Sequence, residues 1–281
     1  MLFRSVVPQN DDNFIHLSAL RDLEFHGCGN GLVGSILSWL QTSSHSLAFM
    51  CTNWHNDTPV TTRIFPEDIF NIRSHLYPLR ELTTLSICYE ERIADAFNDM
   101  SMVRLGFEPM RNGDVMPDFR ALLSLRTLRE LWLSGHDKGV LSTEDWRKMF
   151  GEMDALVKVV ISLPHSYRGR WLYALSGDHP EGRPFPAPKL RDLHIFQPWP
   201  ETGTALLSLL RDRNERGHRV HELCVLCKNH CFDDRIRQAF EDWREAGELS
   251  KFVDVAKFEK VAEYPRIHPP GASRPIDMMY F

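Results

Sequence analysis

The sequence lacks the features that mark several large classes of protein. It has no basic excess, because 33 Lys and Arg stand against 38 Asp and Glu, and the net charge of −5 argues against a general binder of nucleic-acid backbones. It has no apolar run that approaches the roughly 20 residues needed to span a bilayer. The first residues, MLFRSVVPQNDDNF, hold too short an apolar region for a secretory signal. We therefore expect a cytoplasmic or nuclear protein that binds neither nucleic acid nor membrane.

The six cysteines lack the regular spacing of a small disulfide-bonded secreted domain. They stand at positions 28, 51, 88, 224, 227 and 231. Without a secretory signal, reduced thiols are the expected state. The run CVLCKNHC, residues 224–231, suggests a zinc site, but structural zinc sites usually draw two ligands from each of two separated segments. We prefer a strand followed by a polar turn, and we predict no metal.

Sequence motifs for catalysis are nearly absent. HELCV at residues 221–225 has Val225 where a zinc-binding helix would carry its second histidine. GSILS around Ser35 lacks the second glycine of a nucleophile elbow. The 13 histidines are scattered, and none pairs with Asp or Ser at a known motif spacing. We therefore predict no enzyme activity, no catalytic residue and no cofactor.

One glycine motif keeps an enzyme alternative open. Gly29, Gly31 and Gly34 fit G-x-G-x-x-G, and the motif follows a predicted strand and precedes a predicted helix, as in dinucleotide-binding folds. Such a fold also places an acidic residue about 20 positions later, at a strand end, to bind the ribose. The nearest acid, Asp57, falls in a predicted loop. A glycine-rich turn is the preferred interpretation, with a nucleotide-binding enzyme at Gly29–Gly34 as the alternative.

What the sequence does contain is a short recurring pattern, apolar-x-x-apolar-x-apolar. It fits residues 20–25, 82–87, 128–133, 156–161, 190–195 and 220–225. A weaker copy lies around Leu47 and Phe49, and a frayed one lies at residues 252–255. The middle apolar residues of successive copies are 26 to 46 positions apart. Spacing of this order indicates one supersecondary unit that repeats with insertions.

Each unit combines a short strand with a helix. The last two apolar positions of each copy have the period-2 spacing of a strand with one buried face. Helical spacing follows at residues 142–156, where Ser142 or Thr143 would be the N-cap, at residues 202–218, ending near Gly217, and at residues 233–247. Parallel strands joined by crossover helices are therefore predicted. Because alternate strand positions are often polar, as at Glu24 and His194, we expect water on one face and helices on the other.

The repeat resembles the leucine-rich repeat, L-x-x-L-x-L-x-x-N/C, and the first copy, LRDLEFHGCGNGL, also carries its cysteine at Cys28. Its variable helices are similar to those of the fungal F-box/leucine-rich-repeat proteins over residues 17–255. The resemblance implies an α/β fold, an irregular leucine-rich-repeat solenoid whose curved parallel sheet has helices on its convex side. In that family the F-box binds the adaptor of an SCF ubiquitin ligase and the repeats hold the substrate. No F-box motif is evident in this sequence, so an SCF adaptor is a partner only if an F-box lies outside it.

The concave face of such a sheet is the predicted binding surface for a protein partner. Aromatic residues at the centre of a concave sheet are typical interface anchors, and acidic residues would border them. The predicted partner-binding residues are Glu130, Trp132, Val160, Asp192, His194, Phe196 and Glu222. Mutual neutralisation of neighbouring acids and bases is preferred over an acidic stripe that receives a basic partner. A loop or the C-terminal tail is the alternative cover for the aromatic residues.

The domain organisation follows from the repeat. Residues 1–260 form the predicted solenoid. Residues 261–281 contain four prolines and cannot continue it, so we predict an extended tail that docks through its apolar end. The predicted function is protein recognition, with substrate recognition for an SCF-type ligase as the role that the resemblance implies. A truncated relative with only a structural role is a further alternative.

Overall fold

The computed structural model describes residues 15–20, 22–42, 47–52, 76, 81–89, 91, 93–106, 124–135, 142–162, 170–176, 185–196, 200–228, 238, 241–243, 245 and 247–261. The strands are β1 Ile15–His16, β2 Asp22–His26, β3 Leu40–Gln41, β4 Ala48–Thr52, β5 Thr84–Cys88, β6 Ile93–Phe97, β7 Met102–Gly106, β8 Glu130–Ser134, β9 Lys158–Ser162, β10 Asp192–Phe196, β11 Val220–Lys228 and β12 Val253–Val261. The α-helices are α1 Asn30–Trp39, α2 Thr143–Glu152, α3 Arg170–Leu175 and α4 Pro200–Glu215.

Ten of these strands form one open sheet, in the order β12-β11-β10-β9-β8-β5-β6-β7-β4-β2. Strand β6 is antiparallel to both of its neighbours, and all the other described pairings in the sheet are parallel. The end strands β2 and β12 do not pair with each other, so these strands do not close into a barrel. The fold is α/β, with a large and mostly parallel sheet.

The repeated apolar residues occupy one row across adjacent strands. Leu85 lies opposite Leu131, and Leu131 lies opposite Val159. The row continues through Leu193 and Leu223, and the exposed fraction of all five residues is 0 %. Parallel strands that start at the same position of a repeat bring equivalent residues side by side. The predicted register is confirmed for these strands.

The chain enters successive strands through the same backbone hydrogen bonds. The carbonyl of Arg129 accepts hydrogen bonds from the amides of Val157 and Lys158, at 2.8 and 3.0 Å. The same two-amide arrangement recurs at the carbonyls of residues 83, 157 and 191. Buried backbone groups need such partners, and here each unit supplies them to the next unit.

The described helices pack on one side of the sheet. Their buried residues join the inward-facing strand residues in a single apolar core; they include Val33 and Leu37 of α1, Trp146 and Phe150 of α2, Leu172 and Leu175 of α3, and Leu206, Leu209 and Leu210 of α4. The opposite side of the sheet holds a separate buried cluster of strand residues, without a helical member. In the described part of the chain the sheet therefore has one layer of helices.

The middle of the sheet differs from the sequence prediction. Strands β6 and β7 form an antiparallel hairpin that lies between β4 and β5, although these two strands are consecutive in the repeat. The turn is closed by Asn98, whose side-chain oxygen accepts hydrogen bonds from the amides of Met100 and Ser101 at 2.8 and 2.7 Å. The expectation of a wholly parallel sheet is therefore wrong. A hairpin built within the long third interval supplies two strands that the repeat pattern does not contain.

The ends of two helices agree with the sequence. Ser142 is the N-cap of α2: its hydroxyl accepts a hydrogen bond from the amide of Asp145, whose carboxylate accepts one from the amide of Ser142, which completes a capping box. Gly217 follows α4 with a φ of +78°, a conformation that suits glycine. Both boundaries were predicted from residue type, because caps depend on local chemistry.

Parts of the prediction fall outside the described residues. The helix predicted over residues 233–247 is described only at residues 238, 241–243, 245 and 247. The C-terminal tail lies outside the described residues from position 262 onward, as do Asp57, His230 and Cys231. Among the helices that are described, none is long and apolar enough to cross a membrane.

Candidate functional site on the second face of the sheet

The side of the sheet away from the helices, called the second face, presents three rows of side chains. The first row contains Asp22, Ala48, Met102, Phe97, Thr84, Glu130, Lys158, Asp192, Glu222 and Val255. The middle row contains Glu24, Met50, Arg104, Asp95, Ser86, Trp132, Val160, His194, Cys224 and Lys257. The third row contains His26, Ile93, Cys88, Ser134, Ser162, Phe196, Leu226 and Glu259. Because side chains alternate along a strand, all seven predicted binding residues lie on this face.

An apolar cluster occupies the second face between β8 and β11. Its members are Trp132, Val160, Phe196, Cys224 and Leu226. The exposed fraction is 9 % for Trp132, 7 % for Phe196 and 0 % for Val160. Alternation placed the two aromatic residues on the correct face, but the expectation that they are exposed there is wrong. The predicted cover, a loop or the tail, lies outside the described residues.

Trp132 is held by charged residues on two strands. Its indole Nε1 donates a hydrogen bond to Oε2 of Glu130 at 3.0 Å. The ammonium group of Lys158, on the neighbouring strand, lies 4.8 Å from the centre of a Trp132 ring, within the range of a cation–π contact. The first row therefore fixes the orientation of the indole and surrounds it with both signs of charge.

His194, Glu222 and Lys257 form a small polar network on three adjacent strands. Oε1 of Glu222 accepts a hydrogen bond from Nζ of Lys257 at 3.0 Å and lies 3.6 Å from Nε2 of His194. The hydrogen bond from Lys257 lowers the pKa of Glu222 below its usual value. Burial, followed by the charge of Lys158, lowers the pKa of His194 below its ordinary value of 6.5. At neutral pH the site therefore contains an ionised Glu222 and a neutral His194.

The acids of the first row are only partly neutralised. Lys158 lies in register between Glu130 and Asp192, as mutual neutralisation predicts. Asp192, however, lies directly opposite Glu222 on the next strand. Like charges that face each other across a strand pair destabilise a sheet. Neutralisation therefore describes one end of the row, and an acidic pair remains at the other end.

A buried ion pair in the middle row is absent from the sequence prediction. Nε and Nη2 of Arg104 donate hydrogen bonds to the two carboxylate oxygens of Asp95, at 2.8 and 2.9 Å. Only 10 % of each side chain is exposed. The hydrogen bond from Asp95 is the main cause that raises the pKa of Arg104. Alternating residues on both sides of the Asn98 turn indicate a hairpin, and that signal would have located the pair.

The glycine motif lies at the start of α1. Gly29 is the N-cap of the helix, with φ of −66°, and Gly31 and Gly34 lie within the helix. The sharp turn that precedes it is made by Gly27, which has a φ of +62°. The predicted strand–turn–helix context is thus present. The role of the motif in nucleotide binding stays a prediction.

Cys224 and Cys227 of β11 contact different parts of the fold. Cys224 belongs to the apolar cluster of the second face, and burial raises the pKa of its thiol to about 11. Cys227 packs against the main core on the helical side. Within the described part of the chain, no group of three or more His, Cys, Asp or Glu is arranged to hold a metal ion.

The chain was compared with protein-family models, curated proteins and solved structures, and none of them matches it. The resemblance to leucine-rich-repeat proteins thus depends on the residues of the repeat alone. The function has to be inferred from the second face and from the repeated architecture.

Proposed function

We propose that the chain is a degenerate, leucine-rich-repeat-like solenoid interrupted by the β6–β7 hairpin. Support comes from the row of equivalent buried residues on β5 and β8–β11. The repeated two-amide hydrogen bonds at the carbonyls of residues 83, 129, 157 and 191 also favour it, since a solenoid repeats backbone contacts together with side chains. In this proposal the second face is the concave surface.

We further propose that this surface recognises a protein partner through Glu130, Trp132, Val160, Asp192, His194, Phe196 and Glu222. The observation that carries the proposal is the arrangement on β8–β11: a nearly buried aromatic cluster bordered by partly exposed charged residues. Interfaces concentrate binding energy in such apolar centres, with a polar rim around them. The rim makes first contact, because Trp132 and Phe196 offer little exposed surface of their own.

A role in substrate recognition for an SCF-type ubiquitin ligase is a narrower form of the same proposal. It rests on the resemblance of the repeats to those of F-box proteins, and it needs an F-box outside this sequence. Purification of the protein from its own cells tests it. Recovery of an SCF adaptor would support the ligase role, and recovery of other partners without the adaptor would leave a recognition module of another kind.

Site-specific photo-cross-linking tests recognition by the second face. A photoreactive phenylalanine analogue replaces His194 on that face, or Tyr173 on the helical side in a matched control. Tyr173 is 50 % exposed, so both positions are accessible. We expect one protein from the cell lysate to be cross-linked from position 194 and not from position 173. Equal labelling from both positions would refute the proposal.

The same experiment separates a partner from the chain's own tail. A cross-link from position 194 to residues 262–281, with no foreign protein attached, would make the tail the occupant of the second face. In that case a chain that ends at residue 261 should also show increased quenching of Trp132 fluorescence by acrylamide. Either result would replace the partner in the proposal with an intramolecular contact.

A further inference from the structure

The charge of the molecule is concentrated on the second face. The three rows of the second face hold seven acids, Asp22, Glu24, Asp95, Glu130, Asp192, Glu222 and Glu259, and three bases, Arg104, Lys158 and Lys257, a net charge of −4 with His neutral. The whole chain carries −5, so all its other residues together carry −5 − (−4) = −1. A field of one sign on one face selects partners of the opposite sign.

The described bases on this face are already engaged. Arg104 is paired with Asp95, and Lys257 is hydrogen-bonded to Glu222. Lys158 lies over Trp132. These contacts leave the acidic excess of the rim without a described counter-charge, and Asp192 makes no hydrogen bond or ion pair within the described residues.

The sharpest feature is the acidic pair formed by Asp192 and Glu222. The two residues are in register on adjacent strands, which lie about 4.8 Å apart. Both contacts of Glu222, from Lys257 and His194, are made to Oε1, so Oε2 is without a partner in the described part of the chain. A cation placed between Asp192 and Oε2 of Glu222 would convert a repulsive pair into two attractive contacts.

We infer that the partner of the second face is a basic protein segment that places a Lys or Arg side chain between Asp192 and Glu222. This inference rests on the proposed function, because it names the chemistry of the same surface. The guanidinium or ammonium group contacts the two carboxylates, and the neighbouring residues of the segment cover the edge of Trp132. Nucleic acid is disfavoured by the same acidic field.

Peptides of opposite charge test the sign of the partner. The probes are a fluorescein-labelled peptide of alternating lysine and threonine and the same peptide with glutamate in place of lysine. We expect fluorescence anisotropy to detect binding of the lysine peptide only. The affinity should fall as salt is raised, because exposed charges are screened beyond about 10 Å at 0.1 M ionic strength.

Matched variants test the location of binding. The rim variant carries Glu130→Gln, Asp192→Asn and Glu222→Gln, changes that keep hydrogen-bond acceptors for Trp132 and Lys257. The control variant carries Glu152→Gln, Glu215→Gln and Glu248→Gln, at exposed positions outside the second face, and has the same net charge. We expect the rim variant to lose about tenfold in affinity for the lysine peptide and the control variant to lose less than about twofold.

Several results would overturn the inference. They are no binding of the lysine peptide, unchanged binding by the rim variant, or an equal loss in both variants. Asp192→Asn alone repeats the test if the triple variant fails to fold, since Asp192 makes no described contact. If position 194 cross-links a cellular partner but the lysine peptide does not bind, recognition by the second face stands and only the basic chemistry is refuted.

Discussion

Arg213 is a fully buried cation without a described acidic partner. Its guanidinium donates hydrogen bonds to the carbonyls of Pro186, Ala187 and His218, at 3.0, 2.8 and 3.2 Å. It also lies 4.9 Å from the ring centre of Phe185. Burial lowers its pKa to about 10, so it stays charged at neutral pH. One side chain thus fixes the segment before β10 against the turn that leads into β11.

Replacing Arg213 by Ala should therefore destabilise the protein strongly. At least three buried carbonyl groups would lose their donor, and each unsatisfied group costs about 1–3 kcal/mol. We expect a loss of about 3 kcal/mol or more in the free energy of unfolding, measured by urea denaturation. Arg211→Ala, on the same helix but exposed, should cost less than about 1 kcal/mol. Equal losses would show that the carbonyl contacts contribute little.

At the same scale, the sequence gives the face of a residue better than its exposure. Alternation from Leu131 and Leu133 places Trp132 on the second face, and the structure agrees. Its exposed fraction of 9 % depends on neighbours that are distant in sequence, such as Lys158. The pairing of Arg104 with Asp95 depends likewise on the hairpin that brings them together.

At the scale of the element, two glycines have opposite effects on their helices. Gly217 ends α4 with a φ of +78°, a conformation that costs a residue with a Cβ about 1–2 kcal/mol. Gly151 lies within α2, and a Cβ added there meets no atom within 4 Å. Glycine inside a helix is less favourable than alanine by about 1 kcal/mol.

The same substitution should therefore have opposite signs at the two positions. We expect Gly217→Ala to lower the free energy of unfolding by about 1 kcal/mol. Gly151→Ala should raise it by up to about 1 kcal/mol, because alanine restricts the unfolded chain and fits the helix. Thermal and urea unfolding of the two variants give the measurement. A stabilising Gly217→Ala would mean that the backbone there is not left-handed.

At the scale of the whole molecule, the repeat residues hold the sheet and the helices together. Leu131 is fully buried in the core that joins the two layers. We expect Leu131→Ala to cost about 2–5 kcal/mol, because it leaves a cavity between the layers. Leu32→Ala makes the same chemical change on α1 at a position that is 54 % exposed, and it should cost far less. A shift in the melting temperature too small to measure for Leu131→Ala would mean that the assigned register is wrong.

The sequence by itself determined which residues point into the main core, the order of strands β8 to β12, and the caps at Ser142 and Gly217. These features depend on period-2 alternation, repetition and local backbone chemistry, all of which are written in neighbouring residues. Only the tertiary structure decided the position of the β6–β7 hairpin, the burial of Trp132 and the opposition of Asp192 and Glu222. These depend on the pairing of distant strands, because a strand's pattern states which face a side chain takes and leaves open which strand lies beside it.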